Sequence, residues 1–391
     1  MEKKIKYIQI GFCSLIILFI SVFGIFTIMN NNSRSNLEGR VLTQFPDIDM
    51  YSFFDDEFYN TYTSAFSDQL ILRNKFVKAY YLLNPQRYVG DTVKGSNGQL
   101  YHEPLLIQDE EEYIDSLKKV IKKDMNHIAK KVKEAGADFI FISIPRKDVV
   151  MSDDLPSTYI RGEKDYLKYV EIIRKAKSDD VELIDAYEVF KRRNKENVDV
   201  FYQTDHHLNI YGGYYLFEEL VEITNEDGKK IELGSLKDEY VVEKRVVNGS
   251  YNRKIGQLIK SKPEDLVLIP KNKNIEYVRY DYGKESKYPI FGTGDTYASA
   301  YMGSDFAETY VNSSNNDAPN ILYVGSSYTN VLESLSVYKY NRMVSIDYRH
   351  NPSGKSIVDY VKEYDIDYVV FICGQSNDAL NVDSIRLHLG L

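Results

Sequence analysis

The fold is decided by a short apolar segment that ends in a glycine–serine turn, Ile321-Leu322-Tyr323-Val324-Gly325-Ser326-Ser327-Tyr328. Four apolar residues before a turn predict a buried strand, and residues 329–335 have the spacing of a helix that follows directly. Four further strands are predicted in the same way, and they alternate with helices: strands at 139–145, 181–185, 343–347 and 368–373, helices at 110–135, 166–177 and 355–363. This alternation predicts an α/β fold in which a parallel sheet of about five strands has helices on both faces.

One long stretch does not follow the alternation. Residues 226–318 are polar and rich in Gly and Asn, and we interpret them as an insertion. The α/β domain then occupies residues 109–391, and residues 31–108 form a mixed, aromatic-rich segment in front of it. A chain of 391 residues is long enough for this arrangement.

The composition excludes several classes of protein. With 43% hydrophobic and 27% charged residues the chain can bury a full core, which excludes a disordered or collagen-like protein. A net charge of -9 does not attract nucleic acid, so no such partner is expected. The two cysteines, Cys13 and Cys373, are too few for a disulfide framework or a cysteine zinc site.

The first thirty residues predict a membrane anchor. No charged residue lies between Lys6 and Arg34, and residues 8–29 are almost wholly apolar over a length that crosses a hydrocarbon layer of about 30 Å. Lysines precede this segment, so residues 1–30 are expected to be a cytoplasmic stub and a single-pass signal-anchor in the cell membrane, with the following domain extracytoplasmic. A cleaved signal peptide is the alternative, but no small-residue cleavage site follows.

Two of the six histidines are adjacent, in the segment Tyr202-Gln203-Thr204-Asp205-His206-His207-Leu208-Asn209. In an extended segment the side chains of Asp205 and His207 point to the same side. The carboxylate can then hold one imidazole tautomer and stabilise the protonated ring, as nucleophilic catalysis requires. A surface loop with solvated histidines and a metal site made by this cluster remain open as alternatives. The other histidines lack ligand-like spacing, so no metal is expected.

Ser327 lies where a predicted strand meets a helix. Open α/β sheets carry reactive groups at the carboxyl ends of their strands, where backbone amides of the next helix can stabilise an oxyanion. A helix N-cap is the other interpretation of this serine. In one sheet domain, a strand-end serine together with Asp205 and His207 supplies a full catalytic triad.

Other residues are candidates to bind substrate. Lys147, Arg349 and Asn377 each follow a predicted strand, and the last two are candidates to donate to an oxyanion beside the amide of Ser327. Tyrosines and an asparagine of the 226–318 segment are candidates for a wall that contacts sugar: Tyr251, Asn252, Tyr277, Tyr280, Tyr282, Tyr297 and Tyr301.

Six segments, taken in order, resemble the SGNH-hydrolase-like group that contains the bacterial DHHW proteins and the alginate O-acetyltransferases. They are Phe66-Ser67-Asp68-Gln69-Leu70-Ile71-Leu72-Arg73, Gly95-Ser96-Asn97-Gly98-Gln99-Leu100-Tyr101, Ile144-Pro145-Arg146-Lys147, Asp205-His206-His207-Leu208, Gly325-Ser326-Ser327-Tyr328 and Asp347-Tyr348-Arg349. The resemblance implies a flavodoxin-like parallel sheet with a permuted motif order, because the Asp–His pair precedes the serine.

The resemblance also implies roles for individual residues. Ser327 is the expected nucleophile, His207 the base and Asp205 the group that orients it, whereas His206 is expected to point away. Three departures are visible: Leu208 stands where the signature has Trp, and Ser326 where the serine turn has Asp. The spacing from Asp205 to His207 is two residues, whereas common SGNH esterases use three, and this pair precedes the serine.

These observations predict a membrane-anchored O-acyltransferase, most specifically an O-acetyltransferase acting on a cell-surface or secreted polysaccharide through an acyl-enzyme. No cofactor is expected, and because acyl-CoA is absent outside the cytoplasm, a membrane-bound acyl-donating protein of the membrane-bound O-acyltransferase type is the expected partner. The alternatives are a carbohydrate esterase with the same triad and a non-catalytic glycan-binding or assembly protein. A DHH phosphoesterase is disfavoured, since the chain lacks the further aspartate clusters.

Overall fold

The computed structural model describes residues 2–30, 32–35, 40–48, 52, 56–70, 73–83, 88–89, 91–104, 110–225, 231–271, 275–292, 294–313, 315–350 and 354–374. The chain divides into two compact units, one made of Met1–Gly90 with Asn252–Leu258 and the other of Asp91–Tyr251 with Ile259–Leu391. The second unit therefore begins before residue 109, and it includes the antiparallel pair Thr92–Lys94 and Leu100–His102.

The first unit holds the apolar N-terminal helix, Glu2–Met29. Its part Ile5–Met29 has a mean hydropathy of 2.6 and is, by length and composition, a candidate membrane span. Two more helices follow, Asp56–Gln69 and Arg73–Leu83, together with a short antiparallel pair, Arg34–Ser35 and Arg40–Val41.

The second unit is built on an eight-stranded sheet. Its strands, in chain order, are β1 (Asp138–Ile144), β2 (Val181–Asp185), β3 (Glu276–Asp281), β4 (Lys284–Ser286), β5 (Glu308–Asn312), β6 (Asn320–Val324), β7 (Arg342–Ile346) and β8 (Tyr368–Gly374). In space they lie in the order β4-β3-β5-β7-β6-β8-β1-β2. The five strands from β7 to β2 are parallel, which confirms the predicted parallel sheet.

Helices cover this parallel part on both faces, as expected. Alternate residues of each strand enter two separate apolar clusters, so that in β1 Ile140 and Ile142 face one cluster, and Phe139 and Phe141 the other. One face packs against Ala186–Arg193, Ile210–Thr224 and Asn330–Ser336. The other packs against Glu110–Val120, Asn126–Glu134, Glu163–Ala176 and Ile357–Tyr364, with a π-helical turn, Ile121–Met125, joining the first two.

Residues 226–318, interpreted as an insertion, also contribute strands to the sheet. Strands β3, β4 and β5 come from this segment and extend the sheet with antiparallel pairing, so the sheet is mixed and not purely parallel. The rest of the segment forms the antiparallel pair Tyr240–Val246 and Pro263–Pro270, and the short helices Leu236–Glu239, Ser250–Lys254 and Tyr297–Ala300.

A buried arginine explains why β3 was not recognised. Arg279 is only 1% exposed, and its guanidinium stacks on the ring of Phe306 with 3.7 Å to the ring centre. It donates hydrogen bonds to Thr309 Oγ1 and to main-chain carbonyls that include Met302 O. A charged residue at a core position conceals the apolar alternation by which strands are recognised.

Candidate active site

The loop that carries Asp205 and His207 is held by its own backbone. Phe201 and Leu208 form an isolated antiparallel bridge, so residues 202–207 form a short loop between them. After it, Asn209 caps the helix Ile210–Thr224, because its Oδ1 accepts from the amides of Tyr211 and Gly212, each at 3.0 Å. The chain therefore enters the loop from a bridge and leaves it into a capped helix.

Asp205 is buried and surrounded by donors. Its Oδ1 accepts from the amides of His206 at 2.7 Å and His207 at 3.1 Å, and its Oδ2 accepts from the amide of Ser250 at 2.7 Å. Burial acts to raise the pKa of Asp205, but the two neighbouring histidines and the Ser250 amide hold this pKa well below its usual range. The carboxylate is therefore kept ionised.

His207 bridges the carboxylate and the serine. Its Nδ1 lies 2.7 Å from Asp205 Oδ1, and its Nε2 lies 2.8 Å from Ser327 Oγ, a residue 120 positions further along the chain. A ring nitrogen beside a carboxylate carries the proton, which leaves Nε2 as the acceptor for the serine hydroxyl. The expected meeting of these three side chains is thus found in the structure.

Gly325 allows the chain to enter the turn that carries Ser327. It follows β6 directly, and a Cβ at this position would lie 2.6 Å from Thr329 Cγ2 and 3.0 Å from the carbonyl of Ile372. The chain passes through this narrow space into the turn Ser327–Thr329 and the helix Asn330–Ser336. Ser327 is half-buried there, with its hydroxyl on His207.

Two rings lie on the faces of the His207 imidazole. The Tyr297 ring is parallel to it, with centroids 3.9 Å apart and planes that differ by 2°. The His206 ring lies 3.8 Å away at 36°, so His206 does not point away as expected. Its Nδ1 is instead 2.8 Å from Ser250 Oγ.

A sequence profile described as the SGNH hydrolase-like domain of the acetyltransferase AlgX matches residues 93–313. The chain belongs to this family. The match includes Asp205 and His207 and ends before Ser327. Family membership supports acyl transfer as the general activity.

Solved structures support the same fold. A structure of Bacillus cereus PatB1 with a sulfonyl adduct is 21% identical with a TM-score of 0.58, and covers 75% of this chain and 97% of its own. A DHHW family protein from Eubacterium siraeum is 18% identical with a TM-score of 0.56, and covers 75% and 97%. No curated protein matches the sequence.

In this SGNH-like chain Lys147 does not face a substrate pocket. It is 3% exposed, and its Nζ donates to the carbonyls of Leu100 at 2.9 Å, Tyr202 at 2.7 Å and Gln203 at 2.8 Å. These bonds use all three ammonium protons. Burial lowers the pKa of Lys147, against the opposing effect of Glu264 and Asp205. Lys147 therefore supports the loop in front of Asp205.

The prediction that tyrosines of residues 226–318 form a wall that contacts sugar is wrong for three of them. Tyr301 is fully buried, with its hydroxyl 2.5 Å from that of Tyr202, and Tyr251 and Tyr297 are buried as well. These side chains are core residues and cannot stack on a sugar from solvent. Tyr282 is 59% exposed, and Tyr277 and Tyr280 are half-buried.

Arg349 and Asn377 are the two side chains predicted to donate to an oxyanion. Arg349 is one-third exposed, and its guanidinium pairs with Asp347 at 2.5 Å and Asp305 at 3.5 Å. Its side chain is thus directed to two carboxylates. Asn377 lies outside the described residues, as does most of the polar segment that follows β8.

The metal alternative for Asp205, His206 and His207 meets a chemical obstacle. One ligand atom from each of the three lies within 4.8 Å of the others. However, both ring nitrogens of His207 are engaged, Nδ1 by Asp205 and Nε2 by Ser327, and the carboxylate already accepts three amides. A metal ion would have to displace these hydrogen bonds.

Sequence reasoning missed two contributors to the site. Ser250 holds Asp205 through its amide, which approaches closely because Gly249 leaves no Cβ to meet the Thr204 carbonyl at 2.1 Å. Tyr297 was assigned to a sugar wall and lies instead against His207. The glycine before Ser250 was the one available signal for the first. Nothing in the sequence marked the second.

Proposed function

We propose that the protein is a membrane-anchored, extracytoplasmic O-acyltransferase, specifically an O-acetyltransferase that modifies a polysaccharide. The observation that carries the proposal is the hydrogen-bonded series Asp205–His207–Ser327 at the carboxyl end of β6. A serine hydroxyl bonded to an imidazole, which is in turn bonded to a buried carboxylate, is the arrangement that activates a serine for nucleophilic attack.

In the first half of the reaction Ser327 receives the acyl group. Its Oγ attacks the carbonyl carbon of the donor ester while the hydroxyl proton moves to His207 Nε2. The bond from the acyl carbon to the donor oxygen then breaks, and His207 returns the proton to that oxygen. Asp205 stays ionised and stabilises the imidazolium.

In the second half a sugar hydroxyl takes the acyl group. The oxygen of the sugar hydroxyl attacks the acyl carbon while His207 accepts the proton of that hydroxyl. The bond from the acyl carbon to Ser327 Oγ then breaks. The proton then passes from His207 to Oγ, which restores the free serine. Each half of the reaction transfers one acyl group and returns the proton that His207 accepted, with no change in oxidation state. No cofactor is therefore required.

The backbone supports an oxyanion site at the serine turn. Within the described part of the chain, no acceptor is found for the amide of Ser327, which belongs to the first turn after β6. An amide in this position can donate to the tetrahedral oxyanion. Arg349 is a weaker candidate because two carboxylates already hold its guanidinium.

The choice of acceptor and donor rests on relatives and on the N-terminal helix. The family is described by the acetyltransferase AlgX, and PatB1 has been solved with a sulfonyl adduct, which indicates a site open to covalent reagents. The candidate span Ile5–Met29 would hold the domain beside a membrane-bound acyl donor and raise its local concentration.

The test uses the full-length chain in detergent with an activated acetyl ester, with and without oligosaccharide acceptors. We expect acetylated oligosaccharide, and intact-mass analysis should show one acetyl group on Ser327 when acceptor is omitted. Hydrolysis at full rate, with no acetylated product from any acceptor, would favour the carbohydrate esterase. Absence of turnover and of any covalent adduct would support the non-catalytic alternative.

A further inference from the structure

The contact between Tyr297 and His207 has no part in the proton transfers described above. Tyr297 is 2% exposed and belongs to the short helix Tyr297–Ala300, within the segment first interpreted as an insertion. Its ring covers one face of the imidazole at 3.9 Å, in parallel planes. One face of the proposed general base therefore lies against the face of an aromatic ring.

The Tyr297 ring is held firmly in this orientation. Its hydroxyl accepts a hydrogen bond from the amide of Val331 at 3.2 Å, close to the serine turn. The rings of Tyr301 and Tyr202 pack against it at 5.1 Å and 6.4 Å between centroids. Thr296 caps its helix by accepting from the Ser299 amide. The ring cannot turn away from His207 without breaking these contacts.

We propose that Tyr297 is a positioning residue whose ring face stabilises the imidazolium form of His207 while Ser327 is deprotonated. The inference rests on the proposed function of the triad. The face of an aromatic ring carries the negative part of its quadrupole and attracts a cation placed over it. Because the charge on His207 develops during the reaction, this attraction is stronger in the transition state than in the resting enzyme.

Other groups around His207 determine the sign of the expected pH effect. Asp205 and His206 face it from its own loop, and Ser327 and Tyr328 from the serine turn. The buried side chains of Lys147 and Glu264 interact electrostatically with the Asp205 carboxylate. His207 must be neutral to accept a proton, so the rate rises with pH as the imidazolium disappears. Removal of the Tyr297 ring destabilises the imidazolium and moves this rise to lower pH.

The test compares Tyr297→Leu with Tyr297→Phe in the full-length chain. The measured quantity is the rate at which phenylmethanesulfonyl fluoride modifies Ser327, followed by intact mass from pH 5 to 9. For the Leu variant we expect the midpoint of the acid limb to fall by about 0.4 to 1.5 pH units and the plateau rate to fall about 2- to 30-fold. The Phe variant keeps the ring face and should stay within about twofold of the wild type.

A core substitution away from the triad controls for loss of packing. Tyr340 is 1% exposed and packs against Phe217, so Tyr340→Leu removes a similar ring from the same apolar cluster. It should leave the midpoint unchanged, and thermal melts should show that all variants are folded. A folded Tyr297→Leu variant with the wild-type midpoint would overturn the inference, as would a Phe variant that shifts as far as Leu. Failure of the wild type to be modified at Ser327 would instead contradict the proposed function.

Discussion

The turns after β1 and β6 occupy equivalent places in the sheet, but their polar side chains differ in burial and in contacts. Both follow parallel strands on either side of β8, and both carry a polar residue that the sequence placed near substrate. Ser327, after β6, is half-buried with its hydroxyl on His207, whereas Lys147, after β1, is buried and bonded to three carbonyls.

The difference lies in what covers each strand end. The carbonyls that bind Lys147 belong to Leu100, in the antiparallel pair Thr92–Lys94 and Leu100–His102, and to Tyr202 and Gln203, at the start of the loop that carries Asp205. These two segments close over the end of β1. A position after a parallel strand thus predicts which edge of the sheet a residue occupies, but not whether it reaches solvent.

The largest effect is expected at the β6 turn. Ser327→Ala removes the proposed nucleophile and should lower kcat/KM for an activated acetyl ester by roughly 10³-fold or more. Ser326→Ala is the matched control, since it deletes the same hydroxyl one residue earlier, and it should change the rate by less than about threefold. Equal losses in the two variants would contradict the assignment.

His207 provides a check on the same assignment. His207→Ala should lower kcat/KM about as much as Ser327→Ala, because either change removes the hydrogen bond between the proposed base and the proposed nucleophile. The double variant should be no slower than the single variants. Additive losses would show that the two side chains act independently.

The β1 turn is expected to affect stability. Lys147→Met keeps the length of the side chain but leaves three buried carbonyls without a donor, which should lower the free energy of unfolding by about 3 kcal/mol. Urea denaturation measures it. Lys191→Met, at a residue whose side chain is 57% exposed, is the control and should change stability by less than about 0.5 kcal/mol. An unchanged Lys147→Met protein would show that the turn tolerates an apolar residue.

The loop of residues 202–207, which carries Asp205, should make the stability of the fold sensitive to acid. Asp205 has a pKa well below the ordinary value, so its ionised form stabilises the fold above about pH 4, and this contribution is lost as the pH falls further. Asp205→Asn should therefore be less stable than the wild type by about 2 kcal/mol near pH 5, and the difference should narrow toward pH 2. Urea denaturation at several pH values measures it, and a constant difference would contradict the prediction.

The smallest effect is expected at Arg349, after β7. Its guanidinium is paired with Asp347 and Asp305, so Arg349→Gln should slow the proposed reaction with the activated ester by less than about threefold. Steady-state rates with the activated ester measure this. A loss of about 100-fold would restore Arg349 as the oxyanion donor and would extend the reactive edge from β6 to β7.

Local sequence patterns predicted the five parallel strands and several of the helices between them. The apolar runs of the five parallel strands and the three- and four-residue spacing of the helices are properties of short segments, so they are legible without any tertiary contact. Strand β3 was not predicted, because Arg279 occupies a core position where neighbouring carbonyls and the Phe306 ring satisfy it. Those partners are distant in sequence.

The sequence by itself determined the α/β class, the apolar N-terminal segment and the pairing of Asp205 with His207, since two residues in one extended loop share a side. Only the tertiary structure decided that Ser327 meets His207 across 120 residues, that Tyr297 stacks on the imidazole, and that Lys147 and Tyr301 are buried. These contacts depend on which strands are neighbours and which loops cover their ends. That information is held in the packing of the whole chain and in no single segment.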